Sequence, residues 1–243
     1  MIFFLVLYLL FYCLLFFPGY LPEKCYLSNR QRCYIVNNLI TIQNLYYSYN
    51  KKENVLENIN LEIKENKYYG IYGHSGSGKS TLLFLMGNIL KPTRGEILYS
   101  FDNIKKNIGF VFQFFNLINE LTVFENALLA QFIRIKCENH QEIKQYSEIL
   151  GITKILDKYP EEISGGERQR ASILRAVVGD VKIILADEPT GSLDMENKLI
   201  VFQLFKDLIK YNKTVVVVSH EKELLDFCDK SILLVDGNLR RGF

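Results

Sequence analysis

One stretch limits what this chain can fold into more than any other. It runs Tyr68-Tyr-Gly-Ile-Tyr72, then Gly73-His74-Ser75-Gly76-Ser77-Gly78-Lys79-Ser80-Thr81, then Leu82-Leu-Phe-Leu-Met86. The pattern predicts a short apolar strand, a glycine-rich turn and a helix. The turn has the G-x-x-x-x-G-K-[ST] spacing of a phosphate-binding loop. Gly73, Gly76 and Gly78 let the backbone bend so that successive N–H groups face inward and form a nest for anionic oxygens. The positive end of the following helix points at the same anion. Lys79 can reach the β- and γ-phosphates, and the Ser80 hydroxyl can ligate Mg²⁺. A surface loop rich in Gly and Ser is the bland alternative; strand and helix flank the turn as the motif requires, which disfavours it.

The rest of the chain supplies the frame for such a loop. Leu39–Leu45 and Val55–Ile63 alternate like strands, the second placing Ile59, Leu61 and Ile63 on one face. Short strands are expected at Gly95–Tyr99, Ile108–Phe112 and Ser231–Asp236. Val181–Ala186 and Thr214–Val218 are continuous apolar runs, the pattern of parallel strands buried on both faces. A mainly helical block spans about 120–160, with Leu121, Phe124, Leu128 and Leu129 at helical spacings, and a further helix runs from Ser164 to Val178. Strands alternating with helices around a phosphate loop make an α/β fold.

Composition excludes some functions. The 29 basic and 27 acidic residues nearly balance, so non-specific nucleic-acid binding is not expected. Five scattered cysteines (Cys13, Cys25, Cys33, Cys137 and Cys228) form no C-x-x-C pair, which argues against a disulfide framework or a zinc site and for a reducing compartment. Residues 1–17 are apolar throughout and stop at Pro18-Gly19. Such a run is at the lower limit for spanning a bilayer, about 17–25 residues. Three readings stand: a membrane anchor or targeting leader, an upstream extension without a role, or a buried helix. Residues 18–37 read as a linker, with Lys24, Arg30 and Arg32 against the single acid Glu23. Were 1–17 to span a membrane, that basic flank would keep the domain on the cytoplasmic side.

Other residues carry chemistry. Ile183-Ile-Leu-Ala-Asp187-Glu188 delivers two carboxylates at the end of an apolar strand, where a parallel sheet faces its ligand crevice. Asp187 suits Mg²⁺, directly or through a water, and Glu188 suits polarising an attacking water. Ser164-Gly165-Gly166-Glu167 is a second glycine turn at a helix start, either a second phosphate site or an ordinary capped helix. A single ATP needs one such site, but a head-to-tail dimer uses both. His220 follows a four-valine strand and is a phosphate contact or a structural histidine. Gln113 can join Mg²⁺ and the attacking water. Tyr49 can stack on adenine or serve as an aromatic strand residue. The His74 side chain is expected to point outward, and His140 reads as a surface residue.

Together these residues resemble the nucleotide-binding subunit of an ABC transporter, over about residues 39–240. The likeness includes the Walker A loop Gly73–Ser80, the Gln-loop at Gln113, the signature Ser164-Gly-Gly-Glu, Walker B ending Asp187-Glu188, the D-loop Gly191-Ser-Leu-Asp194 and the switch His220. Ile108-Gly-Phe-Val-Phe-Gln-Phe-Phe-Asn-Leu117 and Leu185-Ala-Asp-Glu-Pro-Thr-Gly191 look like the branch of lipoprotein-releasing, macrolide-exporting, bacteriocin-exporting and cell-division cassettes.

The resemblance implies a P-loop NTPase core of mainly parallel strands, an N-terminal antiparallel β subdomain and a helical subdomain at about 114–178, all within residues 38–243. It implies an ATPase that powers a separate transmembrane permease, of export or lipoprotein-release type, from the cytoplasmic face of a membrane. The alternatives are an ATP-gated scaffolding cassette, as in cell-division machinery, and a soluble ABC ATPase. Tyr49, Gly73, His74, Ser75, Gly76, Ser77, Gly78, Lys79, Ser80 and Thr81 would bind ATP. Lys79, Gln113, Glu188 and His220 would be catalytic, while Ser80, Gln113 and Asp187 would hold Mg²⁺. Ser164, Gly165, Gly166 and Glu167 would act across a homodimer or cassette pair, with Asp194 in the D-loop. Phe114, Phe115, Leu117, Ile118 and Leu121 would line a docking groove for the permease. The segment between Gly95 and Ile108 is shorter than the branch usually has, so a reduced antiparallel subdomain is expected.

Overall fold

Nine strands and six α-helices follow one another across the described residues. The structure is a computed structural model that describes residues 38–50 and 52–241. The apolar segment 1–17 and the linker 18–37 lie outside the described residues. β1 (Asn38–Tyr47), β2 (Leu56–Lys64) and β4 (Arg94–Tyr99) form an antiparallel sheet in the order β2-β1-β4. The short segment between Gly95 and Ile108 supplies most of the edge strand β4 and the single-turn helix α2 (Ile104–Asn107). Ile59 and Ile63 of β2 are fully buried and Leu61 packs half-buried beside them, as the alternation predicts.

The larger sheet has six strands in the order β5-β6-β7-β3-β8-β9. They are β3 (Tyr68–Tyr72), β5 (Ile108–Val111), β6 (Ile183–Asp187), β7 (Thr214–Ser219), β8 (Lys230–Val235) and β9 (Asn238–Arg241). β5 to β8 run parallel, and β9 turns back antiparallel to β8. The four valines of β7 alternate between two cores. Val215 and Val217 meet α3 (Val123–Ile135), α4 (His140–Ile149), α5 (Gly165–Val177) and α6 (Met195–Ile209). Val216 and Val218 meet α1 (Lys79–Met86) and the antiparallel sheet. Ile184 and Ala186 of β6 face the first core, Ile183 and Leu185 the second. Because both faces are covered, the strands are continuous apolar runs rather than alternating ones.

The helical block differs from expectation in its seam. α3 starts at Val123, so Leu121 lies ahead of it, and Phe124 and Leu128 are only partly buried. The residues that α3 buries are Val123, Asn126, Ala127 and Gln131. Two are amides, which hydrophobic periodicity passes over. Burial of an amide is tolerable only when its hydrogen bonds are made. Asn126 Oδ1 accepts from Ile118 N at 2.9 Å, and its Nδ2 donates to the carbonyls of Ile118, Leu121 and Thr122, each at 3.0 Å. Gln131 clamps Asn139 through both main-chain groups, at 2.6 and 3.1 Å.

Candidate functional site

Strand register decides where the chemistry gathers. Tyr72 pairs with Ser219, Asp187 with Val218, and Val111 with Ala186. The carboxyl ends of β3, β5, β6 and β7 therefore lie along one edge of the sheet. That edge brings together the phosphate loop, Gln113, the Asp187-Glu188 pair and His220, which the sequence keeps up to 147 residues apart between Gly73 and His220.

The loop is folded tightly. Gly78 closes it at φ +96°, a left-handed conformation that side chains avoid, immediately before α1. Gly73 passes so close to β8 that a Cβ there would fall 2.2 Å from the Leu234 carbonyl oxygen. Lys79 is buried and donates Nζ to the carbonyls of Gly73 at 2.9 Å and His74 at 3.0 Å, bracing the loop across its mouth. Its ammonium also stands 3.7 Å from Glu188 Oε1. His74 does point outward: its ring lies between the Ser75 carbonyl at 2.8 Å and Asp236 Oδ1 at 3.1 Å. Ser75 and Gly76 are exposed at the loop tip, while the Ser77 hydroxyl is buried and unpaired. Tyr49 is mostly exposed, with its ring edge against Tyr47 at 4.9 Å and its hydroxyl 3.1 Å from Thr81 Oγ1.

The carboxylate pair divides in two directions. Asp187 Oδ1 accepts the Ser80 hydroxyl at 2.8 Å. Burial raises the Asp187 carboxyl above its ordinary range and the neighbouring Glu188 charge adds to this, against the Ser80 hydrogen bond and Lys79. A desolvated carboxylate beside a serine hydroxyl fits a hard divalent cation. Glu188 takes a left-handed backbone at φ +45°, unusual for a non-glycine residue and a form of strain that collects at functional sites. Its N–H is tied to Val218 O at 2.9 Å, and the turn aims its carboxylate between Lys79 and His220, whose Nδ1 lies 2.8 Å from Glu188 Oε2. Gln113 is exposed, with its amide against Gly191: a Cβ on that glycine would meet Gln113 Nε2 at 3.3 Å.

The second glycine turn forms a capping box. Ser164 Oγ accepts from Glu167 N at 3.3 Å, and Glu167 Oε2 accepts from Ser164 N at 2.9 Å and from its hydroxyl at 2.8 Å. These bonds hold the Glu167 carboxyl below its ordinary range. Gly165 has open space around it, whereas a Cβ on Gly166 would strike Asn197 Oδ1 at 2.4 Å. Asn197 in turn binds Asp194, which caps α6 by accepting Asn197 N at 2.9 Å. The signature and D-loop residues are thus one packed unit.

Several neighbours escaped the sequence reading. Arg175 on α5 donates to the carbonyls of Phe115, at 3.2 Å, and Asn116, while the Arg168 guanidinium lies 5.4 Å from the centre of the Phe115 ring. Thr190 and Glu221 are buried behind His220 and joined there by the partly exposed Lys198. The only sequence signal for these is adjacency to a motif. Of the residues expected to line a docking groove, Phe114 is mostly exposed, Phe115, Ile118 and Leu121 are half-buried, and Leu117 packs against the core.

A family model described as ABC transporter matches residues 56–191. The chain is 37% identical to the uncharacterized ABC transporter ATP-binding protein MJ1508 of Methanocaldococcus jannaschii, over 83% of this chain and 97% of that protein. The chain belongs to the ABC transporter family. It is an ATP-binding cassette, an ATPase subunit of the kind that powers a separate membrane permease. The cassette is also 38% identical to the lipoprotein-releasing system ATP-binding protein LolD of Bacteroides thetaiotaomicron, over 77% of this chain and 93% of that one. Two solved structures of the MJ0796 cassette resemble it over 84% of this chain and 100% of theirs. One is a dimer at TM-score 0.73 and 35% identity, the other a dimeric post-hydrolysis state bound to ADP and Pi at 0.72 and 34%. MJ0796 is likewise a protein of Methanocaldococcus jannaschii.

Proposed function

We propose that this cassette hydrolyses ATP in a head-to-tail pair and drives a permease of the export or lipoprotein-release type. The observation that carries the reading is Glu188, held between Lys79 at 3.7 Å and His220 at 2.8 Å above a complete phosphate loop. Tyr49, Thr81 and residues 73–80 bind the nucleotide, with Lys79 and the loop amides on the phosphates. Glu188 takes the proton of the attacking water, and His220 orients the Glu188 carboxylate and contacts the γ-phosphate. Ser80 and Asp187, joined by Gln113, would hold Mg²⁺, which when bound neutralises phosphate charge. Catalysis is then mainly positioning and charge stabilisation.

Ser164, Gly165, Gly166 and Glu167 act on the partner's nucleotide, and Asp194 braces them through Asn197. The exposed Phe114 sits on the permease-facing side of the Gln-loop. Among the described residues no helix is long and apolar enough to cross a membrane; the cassette works at the cytoplasmic face of a membrane, beside its separate permease.

Glu188→Gln removes the base but keeps the shape. We expect ATP turnover to fall at least ~100-fold with ATP binding retained, read by phosphate release and by nucleotide titration. Undiminished hydrolysis would sink the catalytic assignment. The same trapped variant, extracted from native membranes in mild detergent, is expected to carry a multi-span partner.

A further inference from the structure

We propose that Glu221 is a positioning residue for hydrolysis, which fixes His220 against Glu188 and ties both to the helix that follows the D-loop. The inference rests on the catalytic reading above and adds to it a residue outside its motifs.

A buried carboxylate is costly unless it is paired and hydrogen-bonded. Glu221 is only 8% exposed. One of its oxygens accepts the buried Thr190 hydroxyl at 2.7 Å, and the other receives Lys198 Nζ at 2.5 Å. Its own N–H donates to Ser219 Oγ at 3.1 Å. Three segments therefore meet on one side chain. Thr190 stands two residues after Glu188, Glu221 directly follows His220, and Lys198 lies one turn into α6, which Asp194 caps.

The placement matters because His220 is weakly held otherwise. Its side chain is 60% exposed, and its hydrogen bond among the described residues is to Glu188 itself. The ring cannot brace itself on the group it is meant to orient. Its backbone position is set by its buried neighbours, Ser219 and Glu221. A shift of α6 moves Lys198 and so pulls on Glu221 and on the switch. The D-loop helix and the hydrolytic pair are in this way mechanically connected within one chain.

The test uses the full chain with Glu221→Gln, Lys198→Met and the double variant, alongside Glu188→Gln. Glu221→Gln keeps the shape and the Thr190 hydrogen bond but loses the charge pairing. We expect kcat, read well below the Tm of every variant, to fall about ten- to a hundredfold in either single variant, as small misplacements do, with KM for ATP within about twofold, although Tm drops clearly only in Lys198→Met, where Glu221 is left buried without its cation. The double variant should be no worse than the poorer single, because both break the same link. Lys198 is partly exposed, so its variant carries the test alone if Glu221→Gln does not fold. An unchanged kcat, a loss shared with KM, a loss that tracks Tm, or additive single effects would each overturn the proposal. Full turnover in Glu188→Gln would instead overturn the catalytic reading, which separates the two failures.

Discussion

Asp187 illustrates how a single residue can serve function at the expense of the fold. Its carboxyl is raised by burial, and a group raised in the folded chain binds protons more tightly there than in the unfolded chain. Its stabilising contribution is present below the unfolded value of about 3.9 and is lost as pH rises through the folded value. At neutral pH the nucleotide-free cassette carries the cost of an ionised, half-buried acid. Asp187→Asn removes that cost and leaves an acceptor for Ser80. We expect the Tm of the nucleotide-free chain to rise by about 1–4 °C, by calorimetry at pH 7, with the gain shrinking toward pH 4. ATPase activity should fall ~100-fold or more, since the cation would lose its ligand. A lower Tm would contradict the account. The identity of this residue is plain from an apolar run ending in two acids; that its partner is Ser80 is visible only once β6 and α1 are neighbours.

At the scale of elements, the strands and the helix caps are local and the helix seams are not. Ser164 and Glu167 sit three apart before an apolar run, so the start of α5 is legible in the chain. The buried face of α3 is not, because Asn126 and Gln131 lie inside and their hydrogen bonds reach back to 118–122 and on to 139–142. Arg175 is a similar case. Its guanidinium is buried, which pulls its pKa down to about 10, and its donors hold the carbonyls of Phe115 and Asn116. The Gln-loop is thereby fastened to the signature helix. Arg175→Met leaves two carbonyls without donors and is expected to cost about 1–3 kcal/mol, measured as a shift in the urea midpoint. Arg175→Lys should recover less than half of this, since an ammonium cannot reproduce the planar fork.

For the molecule as a whole, the order β5-β6-β7-β3-β8-β9 matters most. It inserts the phosphate-loop strand between two strands from the end of the chain, so the site cannot form until the C-terminal third is in place. The turn after Ser164 packs on Asn197 of α6 through Gly166, and the proposed head-to-tail pair would have it act on the partner's nucleotide. This gives a complementation test. Lys79→Met and Ser164→Arg chains should each be inactive alone. Mixed in equal amounts they should regain about a quarter of wild-type turnover, since half of the pairs are mixed and each has one intact site. No recovery, with mixed dimers demonstrated by a tagged pull-down, would argue that each chain completes its own site.

The sequence alone determined the α/β class, most of the strands, the helix starts after the phosphate loop and at Ser164, and the chemical identity of the motif residues. These follow from local periodicity, turn residues and the few side chains that phosphate and metal chemistry accept. Tertiary structure decided which motifs meet, through register that aligns Asp187 with Val218 and Tyr72 with Ser219. It also decided which polar groups are buried. Glu221, Thr190, Lys198, Arg175 and Asn126 find partners 4 to 60 residues away. No local pattern encodes such pairings, because their stability depends on desolvation and on contacts that exist only when the sheet has closed.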